Sequence, residues 1–267
     1  VGSFPALNAR PQSMLDEWLH QITEELAAWN RDNPDKPAAP FAVNQIVHKS
    51  NDRLDQDMAT CAKWKVPIVI TSLGAIEDLN TAVKGINNRF AHKAIEKGAT
   101  GLIPVAAGAG GHAGTLSPFA LMQEIREWFD GPVALSGSIG NGASILAAQA
   151  MGADLGYAGS AFIATKEANA DQGYKEGIVE GKASDIVYSD LFTGVKGNYL
   201  RNLPQGDYKT MDFGSGGNTE KKAWKDIWGC GQGIGLINDV MSVQDMVDQF
   251  TAEYRAARES LKERFNY

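Results

Sequence analysis

The chain has 267 residues, 43% of them hydrophobic, enough to core one large α/β domain or two smaller ones. A formal net charge of −7 and a pI of about 5.2 speak against nucleic-acid partners or an anionic-membrane surface, because no basic stripe is visible. No apolar run approaches the ~18 residues a membrane helix needs, and Cys61 and Cys230 stand far apart outside any CxxC pattern, so no structural disulfide is expected and a reducing cytoplasm fits.

The chain opens VGSFPAL, without Met, and runs straight into a predicted strand over Gly2–Leu7; further residues are expected to precede it. MLDEWLHQITEELAAWN then sets Leu15, Trp18, Leu19, Ile22, Leu26 and Trp29 on one helix face. Strands are predicted over Phe41–Val47 (FAVNQIV) and Pro67–Ser72 (PIVITS). Next, IEDLNTAVKG (Ile76–Gly85) and INNRFAHKAIEKGA both read as helical, so a strand is missing from the rhythm near Gly85–Ile86. GLIPVA (Gly101–Ala106) is the next strand. In SPFALMQEIREWF, Ser117 suits an N-cap and Pro118 the first helical position. VALS (Val133–Ser136) leads through GSIGNG (Gly137–Gly142) into a helix that should stop at Gly152. LGYA (Leu155–Ala158) leads through Gly159–Ser160 into FIATKEA.

Strand–helix alternation of this kind means a parallel sheet with crossover helices. Six strands are visible and two are expected to be absent, the first and one in the middle, which together make the eight of a closed (β/α)8 TIM barrel. A six-stranded open sheet is the alternative. From Ser184 the alternation stops. SDLFTGVKGNYLRNL and GSGGNTEKKAW read as loops, and VQDMVDQFTAEYRAARESLKERF as a charged amphipathic C-terminal helix that either caps the barrel or meets a partner, a homodimer being compatible. The expected division is a barrel over residues 1–183 and a loop and helical appendage over 184–267, packed on the barrel and not an independent domain.

The chemistry concentrates in VAAGAGGHAG (Val105–Gly114), where four of ten residues are glycine and one is histidine. Glycine lets backbone approach a ligand closely or adopt positive φ, and histidine titrates nearest neutral pH. The pattern fits a bare floor for a flat or anionic ligand beside one acid–base group, His112; a tight turn with a solvated histidine is the plain alternative. Glycine nests and helix N-termini bind phosphate, which in (β/α)8 barrels often sits on the last two βα loops. Gly137, Ser138, Gly159 and Ser160 are therefore phosphate candidates, with Ser136 at the strand end beside them. Asn44, polar inside an apolar strand, either pairs in the core or offers its amide to a planar heterocycle. His48 follows its strand and could border the site; His20 and His92 fall in helical patterns, Cys230 reads as a packing residue, and no metal-ligand spacing occurs.

GAGGHAGTLSPFAL, SGSIGNGASILAAQAMGADLGYAGSAFIATKEA, SDLFTGVKGNYLR and KAWKDIWGCGQGIG together resemble the nitronate monooxygenase family, formerly called 2-nitropropane dioxygenases. VGSFPALNARP and FAVNQIVHKSN resemble that family's second and third strands. The resemblance spans nearly the whole chain, and its most specific pieces are GGHAG and the spaced pair SGSIGNG…GYAGS. It implies an FMN-dependent (β/α)8 barrel with His112 as the active-site histidine near the flavin ring. It further implies Asn44, Gly110 and Gly111 as FMN-binding residues and Gly137, Gly159 and Ser160 at the flavin phosphate. The family's apolar-Ala-Pro-Met first strand is absent. Where many members have Gly-Gly or Gly-Ala, this chain has Gly137–Ser138, and PVAAGA stands where many carry a glutamine and an acidic residue ahead of GGH. The implied reaction is oxidation of alkyl nitronates or nitroalkanes by FMN and O2 to a carbonyl compound and nitrite, with His112 as general base or hydrogen-bond donor. Three alternatives stay open: an NAD(P)H-dependent flavin reductase acting on a quinone or enoyl thioester, a flavin-free isomerase or lyase of sugar phosphates, and a non-enzymatic FMN-binding module.

Overall fold

The computed structural model describes residues 1–74, 81–85, 87–190, 196–203, 206–207 and 228–265. They fall into two units, Val1–Gly85 with Arg89–Leu102 and Ile86–Asn88 with Ile103–Tyr267. Residues from 184 onward group with the chain from Ile103 rather than as a unit of their own.

In one sheet β1 (Gly2–Pro5), β2 (Phe41–Ile46), β3 (Ile68–Ser72), β4 (Thr81–Gly85) and β5 (Gly101–Pro104) lie side by side in that order, and the first unit holds this sheet as far as Leu102. The first three pairings are parallel, with Val43 opposite Val69 and Gln45 opposite Thr71. β2 buries four consecutive residues, Ala42–Gln45, as a strand covered on both faces must. Helix α1 (Met14–Asp32) presses Leu15 and Leu19 against Ala6, Ala9, Val43 and Cys61. Trp29, predicted on the same face, is 46% exposed instead and donates its indole N–H to the Lys36 carbonyl, because α1 outruns the layer beneath it. Helix α2 (Leu54–Lys63) buries Asp57, whose carboxylate takes hydrogen bonds from Arg53 and Gln12 at 3.2 Å each. Arg53 also donates to the carbonyls of Ala6 and Ala9, tying the turn after β1 to α2.

The expected middle gap is corrected here. Thr81–Gly85, read as the end of a helix, is β4, and its register with Val69–Thr71 makes it the strand that the rhythm required. Thr81 and Val83 are β-branched and suit a strand. The first part of the predicted helix, residues 76–80, lies outside the described residues.

In the second unit β7 (Ala134–Ser136) and β8 (Leu155–Tyr157) pair in parallel, and Val105 bridges in parallel to Ser136. Helix α3 spans Asn88–Glu96, and helix α4 (Pro118–Arg126) begins as predicted, with the Ser117 hydroxyl accepting from the Phe119 amide at 3.3 Å. Arg126 at its end donates to the carbonyls of Phe129, Gly131 and Gly152 and to Asp154, closing the turns on either side of β7. Helix α5 (Gly142–Ala150) ends before Gly152, whose φ of +97° makes it the expected stop. FIATKEA forms only the four-residue helix α6 (Ser160–Ile163): the Thr165 hydroxyl donates to the Phe162 carbonyl, and Thr165 bridges in parallel to Met241. Helix α7 spans Gln172–Glu180, and the C-terminal helix, α8, spans Val243–Phe265 as predicted.

SDLFTGVKGNYLRNL is not simply a loop. Ile186–Ser189 and Gly197–Leu200 form two strands, here β9 and β10, and β10 also pairs antiparallel with Gly111–His112, β6. Leu200 and Ile186 face a core with Ile178, Trp228 and Ile234. Residues 191–195 and the second predicted loop, GSGGNTEKKAW, lie outside the described residues.

Candidate active site

The glycine loop grows from the end of β5 and folds back on itself. Gly114 N–H donates to the Val105 carbonyl at 3.2 Å, and Ala107 N–H to the Leu116 carbonyl at 2.8 Å. Ala106 N–H donates to the Ser136 carbonyl at 2.8 Å and Ser138 N–H to the Gly108 carbonyl at 3.3 Å, so the loops after β5 and β7 are bonded side by side. Gly108 and Gly111 have φ of +82° and +65°, which side-chain-bearing residues rarely adopt. Ser138 sits at φ +55° without being glycine, in the turn singled out for phosphate.

A second glycine-rich segment, GCGQGIG (229–235), lies across these loops. Gln232 N–H donates to the Gly108 carbonyl and Gly231 N–H to the Ser160 hydroxyl, both at 2.9 Å. A Cβ on Gly110 would stand 2.7 Å from the Gly231 nitrogen, and one on Gly233 would stand 3.0 Å from the Ser138 carbonyl oxygen. These glycines serve close backbone packing. Gly111 and Gly159 differ, since a Cβ on either would meet nothing within 4 Å. They border open space on loops that their neighbours hold fast.

The amides at the start of α5 are already used. Asn141 and Ser144 cap each other reciprocally, and Gly142 N–H donates to the Glu253 carboxylate on α8 at 2.8 Å. A carboxylate at that positive helix end is favourable.

His112, on β6, is half-buried. Burial disfavours its imidazolium and holds its pKa below the ordinary histidine value, so the ring is neutral at neutral pH. Three ties fix its backbone. Gly197 stands opposite it in the ladder, the Asn198 side-chain amide donates to the Ala109 carbonyl at 2.7 Å, and the Tyr188 hydroxyl donates to the Ala113 carbonyl at 3.1 Å. Sequence reasoning missed Asn198 and Tyr188; the β-branched and aromatic run IVYS was the signal for the strand that carries Tyr188. Cys230 is a packing residue, as predicted: its thiol is fully buried and pushed up to about 12.

The structure thus brings His112, Gly110, Gly111, Ser136, Gly137, Ser138, Gly159 and Ser160 into one unit. Asn44 belongs to the other, on β2, where its side-chain oxygen accepts from the Ser72 hydroxyl at 2.7 Å. Past the same strand end lies a shallow hollow of about 380 Å³ lined by His48, Lys49 and Asp52 among others. Among the described residues no group of three or more His, Cys, Asp or Glu could hold a metal ion, and no helix is long and apolar enough to cross a membrane.

A protein named "Probable nitronate monooxygenase" from Staphylococcus haemolyticus is 24% identical over 206 residues, 69% of this chain and 57% of that protein. The nitronate monooxygenase of Paraburkholderia phytofirmans is 33% identical over 95 residues, 32% of this chain and 26% of that protein. The chain therefore spans little more than half the length of the first of these relatives, and less of the second. Among solved structures, FabK from Thermotoga maritima superposes with a TM-score of 0.75 at 24% identity, covering 91% of this chain and 85% of its own. Nitroalkane oxidase from Streptomyces ansochromogenes gives 0.70 at 21% identity, covering 90% and 87%. Both are (β/α)8-barrel proteins, and this chain shares that fold class, although among the described residues β1 to β5 make one five-stranded sheet and β7 and β8 a parallel pair, with no closed barrel sheet. Residues 81–253, well over half the chain, match the sequence profile of nitronate monooxygenases, and the chain belongs to the nitronate monooxygenase family.

Proposed function

We propose that this chain carries out FMN-dependent oxidation of alkyl nitronates, and of the nitroalkanes from which they form, to a carbonyl compound and nitrite with O2. The observation that carries the reading is His112: a neutral imidazole on a pinned glycine loop, next to a glycine that opens onto free space. The residues fit the cofactor. Gly111 and Gly159 leave room for a planar ring and a phosphate, and Ser160, held by Gly231, keeps its hydroxyl proton for an anion. Gly137, Ser138 and Ser136 line the adjacent turn, and Gly110 packs behind the loop. FMN, when bound, supplies the redox chemistry. His112 acts on the substrate, accepting the α-carbon proton of a neutral nitroalkane or donating its N–H to the nitro oxygens of a nitronate.

The test is an anaerobic visible spectrum of the purified protein before and after propyl-2-nitronate, with NADH added to a separate sample. Flavin bands that bleach with the nitronate and persist with NADH are expected. Bleaching by NADH alone moves the chain to reduction of a quinone or enoyl thioester. Absence of flavin bands after reconstitution with FMN overturns the reading.

A further inference from the structure

A loop in which Gly108, Gly110, Gly111 and Gly114 surround one histidine has little stiffness of its own, since glycine restricts its backbone least. A general base nonetheless must stand within about 3 Å of the proton it takes. The stiffness comes from the strands added after the parallel units. Asn198 and Tyr188 oppose each other on β10 and β9, and Asn198 also opposes Gly111, so these three positions share one sheet face and His112 lies on the other. From that face Asn198, only 2% exposed, reaches the carbonyl of Ala109, three residues before His112. Tyr188, 38% exposed, reaches the carbonyl of Ala113, the residue after it. The ladder fixes His112 in the middle, with Ala113 N–H donating to the Lys196 carbonyl.

We infer that Asn198 and Tyr188 are positioning residues that clamp the histidine loop from behind, so that β9 and β10 set the aim and the hydration of the His112 ring. The functional consequence rests on the proposed role of His112 as base; the clamp itself does not. Among the described residues, the titratable and charged side chains on and flanking the elements packed against β6 are Lys196, Tyr199 and Arg201 at β10, Asp185, Tyr188 and Asp190 at β9, and Cys230 in the crossing segment. On β10, Tyr199 lies on the His112 face. All of these except Tyr188 are retained in the variants below, so a shift in the His112 titration reports the loop and not a changed charge.

The experiment is proton NMR titration of the histidine rings in the flavin-free protein, comparing wild type with Asn198→Leu and Tyr188→Phe. The His112 signal, one of four, is identified by its loss in His112→Asn. Removing either tie lets water reach the ring, so its titration should move up toward the ordinary value, further in Asn198→Leu than in Tyr188→Phe. In the FMN-loaded enzyme, kcat for a neutral nitroalkane should fall about tenfold or more in Asn198→Leu with a smaller change in KM. An unmoved His112 titration in both variants overturns the clamp, whatever their thermal stability. Should Asn198→Leu fail to fold, Tyr188→Phe decides alone, because its exposed ring can lose a hydroxyl without opening the core. A shifted titration in proteins that never turn over nitroalkane upholds the clamp and counts against the proposed reaction instead.

Discussion

The neutral state of His112 has consequences of definite sign. Burial lowers its pKa in the folded chain, so it remains a competent base below the ordinary histidine value of about 6.5. For a neutral nitroalkane, kcat/KM should be on its plateau at neutral pH and fall on an acid limb centred below that value. His112→Ala should cut this turnover by about 10²- to 10⁴-fold, while a preformed nitronate, which has no α-proton to give up, should lose less. Equal losses on both substrates would make His112 a ligand for the nitro group and not a base. The same shift acts on stability. Below the ordinary value the unfolded chain holds a proton at this position that the folded chain resists, so the folded state is fully favoured above about pH 6.5 and loses ground as pH falls through the lower folded pKa.

At the level of elements, α8 shows how a segment read as an appendage is built in. Gly142 begins α5 where a Cβ would overlap the Phe250 carbonyl and the Tyr254 amide of α8. Its N–H holds Glu253, and the Tyr254 hydroxyl donates to the Gln149 side chain at 2.6 Å. Gly142→Ala should therefore push the helices apart and cost about 1–3 kcal/mol, read as a lower denaturant midpoint; an unchanged midpoint would mean that α8 contributes little to the fold. The sequence made α8 legible to its ends because its charge and apolar spacing are local properties. For the same reason β2, β3, β7 and β8 emerge within two residues of their predicted bounds. Contacts between distant segments were not legible. Nothing in GNYL announces that Gly197 must lie flat against the Gly111 carbonyl, or that Asn198 will find Ala109 across 89 positions. In the candidate site, residue types and spacing pointed to His112 and its glycines, but could not separate Gly110, which packs, from Gly111 and Gly159, which face open space. That distinction depends on where GCGQGIG crosses.

Over the whole molecule, a net charge of −7 means that no general field draws in an anionic cofactor, so a phosphate must be held by local backbone and hydroxyl dipoles. This makes Gly159 the place to separate cofactor binding from folding. A Cβ there meets nothing in the protein within 4 Å, and its φ of −123° is one that alanine adopts. Gly159→Ala should then leave the stability of the flavin-free protein within about 0.5 kcal/mol of wild type. Gly137→Ala is a poorer probe, because φ +145° strains any side chain before a ligand arrives. A ligand that binds only the native state at a hundred times its Kd stabilises by about 2.7 kcal/mol, which for a chain of this size raises Tm by roughly 5–10 °C. Wild type should show that rise with FMN. In Gly159→Ala the methyl occupies the space assigned to the phosphate, so the rise should shrink at the same FMN concentration while the flavin-free Tm stays put. A full rise in the variant would place the phosphate elsewhere, and a lowered flavin-free Tm would show that Gly159 serves the fold before it serves the cofactor.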